Sequence, residues 1–239
     1  MNAVTTRRAP AKPKPFAWSY SKLKNFETCP KRHWHIDIAK DVSEPESEQL
    51  KYGNVVHTVM AQYIQHGTQM PPALEMELRP FADRVFDWKG VDVRSRGATV
   101  EVEQQYAITA DLGPTEWFGK DAWFRGIGDV VWELGPLCFI GDWKTGKILE
   151  DTPQLILMAA CIFAHKPHIQ MVRSQFIWLK EDAETTYDVK RADMPAHWAN
   201  LLPRVQQMVE AHRQMNFPAK PSGLCKRWCP VKQCPHNGG

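Results

Sequence analysis

Between Leu50 and Ile64 the apolar side chains fall at positions 52, 55, 56, 59, 60, 63 and 64, and then at 74, 78, 81, 82, 85 and 86. Spacings of three and four place each set on one helical face, so the pattern predicts two successive amphipathic helices. Upstream, Ser19 or Ser21 can cap a short helix through Leu23 and Phe26 that stops near Pro30, and a second helical stretch carries His33, Trp34, His35 and Ile36. After Gly97 the texture changes: TVEVEQQYAIT, AWFRGIGDVVWEL and PLCFIGDWKT are rich in β-branched and aromatic residues and are parted by Gly and Pro, which predicts a meander of three strands. DTPQLILMAACIFA, with Pro153 at its first position, reads as a buried helix. IQMVRSQFIWL and TTYDV return to strands, and residues 193–215 form a last amphipathic helix. This order predicts one α/β domain over residues 17–239, a central mixed β-sheet flanked by helices. Residues 1–16, rich in Pro, Lys and Arg and without apolar period, are expected to form a flexible basic arm.

Composition excludes some classes. With 239 residues, 43% hydrophobic and 24% charged, the chain is long enough for a real core and is neither disordered nor collagen-like. No apolar run approaches the ~18 residues of a membrane span, and the first residues lack a signal peptide's apolar stretch, so a cytoplasmic location without membrane contact is expected. Charge is uneven: residues 1–40 are net +7 and residues 216–239 net +4, which leaves −8 between them in a chain of net +3. Basic ends around an acidic middle suggest a polyanion-binding surface where the ends meet, beside an acidic site able to hold a cation.

That acidic site has a candidate. Asp129 lies in RGIGDVV, and Asp142 with Lys144 lies in CFIGDWKTG. If WELGPL turns a hairpin, the two carboxylates face each other on neighbouring strands, and alternation puts Lys144 on the face of Asp142. Paired carboxylates in a partly buried site repel unless a cation lies between them, and Mg²⁺ or Mn²⁺ suits hard oxygen ligands. The D-x-K triplet also occurs at Asp87/Lys89 and Asp188/Lys190, but without an apolar strand and an upstream Asp on another strand. Gly141 to Lys147 also comes near a phosphate-binding loop, with Ile148 where Ser or Thr would ligate Mg²⁺.

The six cysteines sort by context. Cys138 and Cys161 sit in apolar runs and read as core residues. Cys29, Cys225, Cys229 and Cys234 lie in polar, basic, Pro-rich surroundings at the two ends and read as metal ligands. One cysteine far upstream of three does not match the paired short knuckles of structural zinc sites. Pro follows Cys29, Cys229 and Cys234, as it follows a ligand in some ferredoxin runs. His33, His35 and His236 keep a Cys/His Zn²⁺ site as the alternative.

The run SKLKNFETCPKRHW, GNVVH, GIGDVV, GDWKTG, a Gln-led helix and a three-Cys tail resembles the RecB-type branch of the PD-(D/E)xK nuclease superfamily. More narrowly, it is similar to the iron–sulfur members: AddB nuclease domains, CRISPR-adaptation nucleases and phage exonucleases. The resemblance implies a restriction-endonuclease-like core whose N- and C-terminal segments, 17–40 and 216–239, join at a metal cluster held by four cysteines. It implies metal ligation by Asp129, Asp142 and the carbonyl of Trp143, with His57 of GNVVH a further ligand or a residue just behind the metal, and with Lys144 acting on water or phosphoryl charge. Glu103 corresponds to an acidic residue one strand earlier, with Glu101 the alternative. Gln154 matches a Q-x-x-x-Y motif whose Tyr position holds Met158 here. Cys29, Cys225, Cys229 and Cys234 would carry a 4Fe-4S cluster. Lys22, Lys24, Lys31, Arg32, Lys226 and Arg227, with Trp34 and Trp228 among them, would surround it as a DNA-gripping surface. The implied function is a Mg²⁺- or Mn²⁺-dependent DNA exonuclease of recombination, repair or phage DNA processing, in a bacterial or phage-infected cell. A recombination or helicase partner would supply unwinding. The alternative is a non-catalytic DNA-binding cluster protein derived from the same fold.

Overall fold

A computed structural model describes residues 16–44, 46–149 and 151–238. The arm expected over 1–16 lies outside these residues except for Phe16, whose ring meets His212 edge-on with centroids 4.7 Å apart. Helix α1 (Tyr20–Thr28) is capped by the Ser19 hydroxyl and ends at Cys29. Pro30 opens α2 (Pro30–His33), whose path continues as a π-helical turn over Trp34–Ala39. Helix α3 (Glu48–His66) starts on Ser47 and stops at Gly67, whose φ of 64° favours glycine. Helix α4 (Pro72–Arg84) follows, then a small hairpin of β1 (Asp87–Trp88) and β2 (Val91–Asp92).

The main sheet contains β3 (Thr99–Ile108), β4 (Pro114–Thr115), β5 (Phe124–Leu134), β6 (Leu137–Lys144), β7 (Met171–Trp178) and β8 (Ala183–Lys190). Its strand order is β4-β3-β5-β6-β7-β8. Neighbours are antiparallel except β6 and β7, which run parallel because α5 (Thr152–His165) carries the chain across between them. Helix α6 (Met194–Gln214) completes the body. Alternation along the strands sends Val131, Ile140 and Phe176 to a core shared with α1, α5 and α6, and Val130, Trp132, Phe139 and Ile177 to a core shared with α3 and α4. Helices thus cover both faces of a mixed sheet, as expected for the restriction-endonuclease-like core. Cys138 and Cys161 are buried in the first of these cores.

Arg191 ties the crossover in place. Its Nε donates to the Ile169 carbonyl at 2.7 Å, Nη1 to Phe163 at 3.0 Å and Nη2 to Lys166 at 2.7 Å, so one guanidinium satisfies carbonyls at the end of α5 and in the turn into β7. Arg191→Ala is expected to cost roughly 2–3 kcal/mol, because charge-assisted bonds are lost and these carbonyls lose their donors. Chemical denaturation should show this as a lower midpoint at unchanged slope.

The sheet opens into a fork next to its acidic residues. The β5–β6 ladder stops at Val130 with Gly141, while β6 stays paired with β7 as far as Lys144 with Trp178. The N-terminal half of β5 is therefore released from β6, and the chain at Trp18 bridges Phe124 there instead. Trp18 accepts from Arg125 N–H and donates to the Trp123 carbonyl, each at 2.9 Å, so α1 starts directly over the fork between the two strands.

Candidate active site at the strand fork

The acids sit where the strands part. Asp129 and Asp142 continue the β5–β6 register one step past its last pair. Each follows a glycine whose missing side chain makes room for the neighbouring strand: a Cβ on Gly128 would meet Ile140 at 2.7 Å, and one on Gly141 would meet Val130 at 2.9 Å. These contacts give the glycine of each G-D pair a packing reason. Both carboxylates are buried. Asp129 Oδ2 accepts from the Trp143 N–H at 2.7 Å, and Asp142 Oδ2 accepts from Lys144 Nζ at 2.8 Å and Gln154 Nε2 at 2.9 Å. Gln154 reaches it from the first turn of α5.

His57 enters from α3. Its Nδ1 lies 3.2 Å from Asp129 Oδ1 and 3.9 Å from Glu103 Oε1, and its Nε2 lies 3.1 Å from the Trp143 carbonyl. Donor atoms of His57, Asp129 and Asp142 all lie within 4.8 Å of one another, which makes them a candidate metal centre. The electrostatics favour a cation at this point. Burial, then the charge of Asp129, pushes the Asp142 carboxyl up to about 6 despite Lys144. Burial lowers the His57 imidazole, but the hydrogen bond and charge of Asp129, with Asp142 and Glu103 behind it, outweigh that and raise it. Carboxylate oxygens, one imidazole and a backbone carbonyl form a donor set suited to Mg²⁺ or Mn²⁺.

The backbone places Glu101 and Glu103 differently. On a regular pleat both would share a face, but Glu103 has φ of 50° and drops out of the β3–β5 pairing, which resumes at Gln104 with Gly128. Glu101 ends 3.1 Å from Lys166, whereas Glu103 ends beside His57, and burial followed by the charge of Asp129 raises its carboxyl. A non-glycine residue in the left-handed region is a strained conformation, here directly beside the paired acids.

These groups border a cavity of about 730 Å³ lined by His57, Asp129, Asp142, Lys144, Gln154 and Met158. Met158, one turn beyond Gln154 and buried, presents a thioether where the motif carries a phenol. The Tyr20 hydroxyl, from α1, donates in this cavity to the Asp151 carboxylate at the start of α5. The two lie 131 positions apart, and neither belongs to a motif that sequence reasoning singles out.

The expected DNA-gripping residues divide between two places. Lys22 and Lys24 line the cavity at the strand fork, not the cysteine region, because the Trp18 bridge seats α1 over the fork. Lys31, Arg32 and Trp228 line a second cavity of about 400 Å³ that Cys29, Cys225, Cys229 and Cys234 also line, with His236. Trp228 is 74% exposed, and Lys226 and Arg227 are exposed beside it. Arg32 is engaged internally by Asn25 and Glu44, and Trp34 packs on Phe217 with ring centroids 5.0 Å apart, so neither is a free surface group. His33 is buried between Asp37 and His212, and His35 faces Asp41 and Gln233, which leaves His236 as the histidine at the cysteine cavity. Backbone N–H groups of Lys220 and Ser222 donate to Cys29 Sγ at 3.4 Å and Cys225 Sγ at 3.3 Å.

The remaining sequence signals find structural explanations. Gly141 and Asp142 lie inside β6, and the next helix begins at Thr152, so no phosphate-cradling strand–loop–helix forms there. Asp188 pairs with Arg173 at 2.7 Å. Among the described residues no helix is long and apolar enough to cross a membrane. The family model of the PD-(D/E)XK nuclease superfamily matches residues 17–235. A search of curated proteins finds no match.

Proposed function

Because the chain belongs to the PD-(D/E)XK nuclease superfamily, we propose that it is a Mg²⁺- or Mn²⁺-dependent DNA exonuclease acting on linear or single-stranded DNA. The observation that carries this reading is the convergence of His57, Asp129 and Asp142 with Lys144 and Gln154 at the strand fork. His57, Asp129, Asp142 and the Trp143 carbonyl would hold the metal. A divalent cation there supplies Lewis-acid stabilisation of phosphoryl charge and a water acidified enough to attack. Lys144 places a fixed positive charge over the reacting phosphate, in a site partly closed to water where that charge acts strongly. Gln154 holds Asp142, and Asp142 in turn fixes the Lys144 ammonium. Asp129 lies 3.2 Å from His57 Nδ1 and orients the imidazole, and the Glu103 carboxylate, 3.9 Å away, acts on it only through its charge.

In the same reading the four terminal cysteines hold a 4Fe-4S cluster. Four thiols around one cavity, with backbone N–H groups directed at two of them, suit a cluster, whose sulfurs accept such bonds. The cellular setting we favour is recombination, repair or phage DNA processing in the cytoplasm, with a helicase or recombination partner providing strands.

The direct test is digestion of linear single- and double-stranded DNA, labelled at either end, with Mg²⁺, Mn²⁺ or EDTA. Metal-dependent loss of one label before the other supports an exonuclease and gives its polarity; intact DNA from a cluster-loaded protein with either metal would falsify the assignment.

Metal binding carries its own pH signature. Asp142 and His57 must both be unprotonated to ligate, and both have raised pKa values. A metal at a hundred times its Kd is expected to stabilise the fold by about 3 kcal/mol at pH 7.5, roughly 5–10 °C in Tm. The increment should vanish as pH falls through about 6. For the metal-free protein the Asp142 contribution runs the other way: a carboxyl raised on folding contributes stability below its unfolded pKa and loses it as pH rises through the folded one. Thermal melts across pH, with and without Mn²⁺, read both slopes.

A further inference from the structure

Beside the catalytic cavity stands an exposed aromatic tip that the acids do not explain. Phe118 is 87% exposed, and its neighbour Trp117 lines the cavity. The turn that presents them is fixed. Gly119 N–H donates to the Glu116 carbonyl at 2.8 Å, Ala122 N–H to the Gly119 carbonyl at 3.1 Å, and the Thr115 hydroxyl to Asp121 at 2.6 Å. A Cβ at Gly119 would lie 2.5 Å from the Thr115 hydroxyl, so the turn closes tightly on a residue without a side chain. Arg125 Nε donates to the Trp117 carbonyl at 2.6 Å, with its guanidinium 5.8 Å from the Trp117 ring centre. A large apolar ring held in water by a rigid turn has no role in the core.

The charge on the same wall is unbalanced. Lys22 and Arg125 both line the cavity, and among the described residues neither has a carboxylate within 4.0 Å. Burial lowers the Lys22 ammonium, the charge of Asp37 partly opposes this, and the nearby Arg125 adds to the lowering. Two cations without a carboxylate in ion-pair contact, beside two aromatic rings and continuous with a cavity that ends at Asp129 and Asp142, suit an alternation of phosphates and bases. Bases inside a duplex are already stacked on their neighbours, so an aromatic tip gains most from an unpaired base.

We propose that Trp117 and Phe118 form a base-stacking lip that, with Lys22 and Arg125 on the phosphates, selects an unpaired DNA strand for the cavity. This rests on the nuclease reading of the cavity but is measured without cleavage. The test is binding of a single-stranded oligonucleotide carrying 2-aminopurine, and of a blunt duplex, to the full-length cluster-loaded protein in EDTA. Wild type should quench the probe on binding. Phe118→Ala should weaken single-strand affinity about fivefold or more, the lower end for loss of one stacked base, and Phe118→Trp should restore it. Duplex affinity should move less than about twofold, because paired bases offer no free face. The exposed ring makes an unchanged melting temperature the expected control. Single-strand binding by both Phe118→Ala and Trp117→Ala at wild-type strength overturns the proposal, as does an equal loss for duplex and single strand. If wild type binds and the variants weaken as stated but Mn²⁺ elicits no cleavage, the nuclease reading fails while the lip stands.

Discussion

Lys144→Ala is expected to slow phosphodiester cleavage by about a hundred- to a thousandfold, the usual loss when one preorganised group facing transition-state charge is removed. The ammonium lies 2.8 Å from Asp142 Oδ2 and 4.7 Å from the centre of the Phe176 ring, which fix it against the wall of the cavity. Alanine removes the charge without disturbing Asp129 or the His57 contacts. It also removes an opposite charge that lowers the Asp142 carboxyl, so the acidic limb of the pH–rate profile should move to higher pH. Asp142→Asn differs in a diagnostic way: it deletes the carboxylate itself, so cleavage and the Mn²⁺-dependent rise in Tm should disappear together. Single-turnover digestion of end-labelled DNA at saturating Mn²⁺, beside thermal melts of both variants, separates the two effects. A Lys144→Ala protein that cuts at the wild-type rate would remove the lysine from the chemistry.

How much of the fold and site is legible in the sequence depends on the range of the interaction. The helix over α3, the three-strand meander and the facing of Asp129 and Asp142 follow from local periodicity and one hairpin, and the structure matches them. Closeness in the chain to Cys29 assigns Lys22 and Lys24 to the cysteine region. Their place at the cavity beside the paired acids depends on the bridge between Trp18 and Phe124, a pairing across about a hundred residues that no periodicity encodes. Glu101 and Glu103 look equivalent to a two-residue repeat; a single left-handed φ separates them. Trp34 reads as a stacking residue in a basic segment, yet the π-helical turn directs it onto Phe217. Phe118 lies between predicted strands in a run with no strong pattern, where sequence gives no measure of exposure.

Cys29→Ser is expected to strip most of the iron from the protein and to lower Tm by roughly 10 °C. Residues 216–238 contain no helix or strand, and they dock on the rest of the domain through scattered contacts: the Pro218 carbonyl on Lys31 N–H, the Lys220 ammonium on the Glu27 carbonyl and its N–H on Cys29 Sγ, Gln233 on His35, the Phe217 ring on His33, Trp34 and His212, and buried Val231. That contact set is small for a segment of this length, because ordering each residue costs about 1–2 kcal/mol of backbone entropy. A cluster held jointly by Cys29 and the tail would supply the missing constraint. It would close a loop of nearly two hundred residues, since Cys225 lies 196 positions after Cys29. By analogy with a crosslink this is worth up to about 5 kcal/mol, and each kcal/mol moves Tm by roughly 2–4 °C in a domain of this size. The wild-type protein, purified without oxygen, should contain about four irons and four sulfides per chain. Cys161→Ala, in the core and away from the cavity of the four cysteines, should keep them. One zinc per chain without sulfide, lost in Cys29→Ser with the same fall in Tm, would replace the cluster by the Cys/His site and leave the closure argument intact. A Cys29→Ser protein that retains both metal and Tm would overturn the argument itself, because the two basic ends would then be held by their own packing.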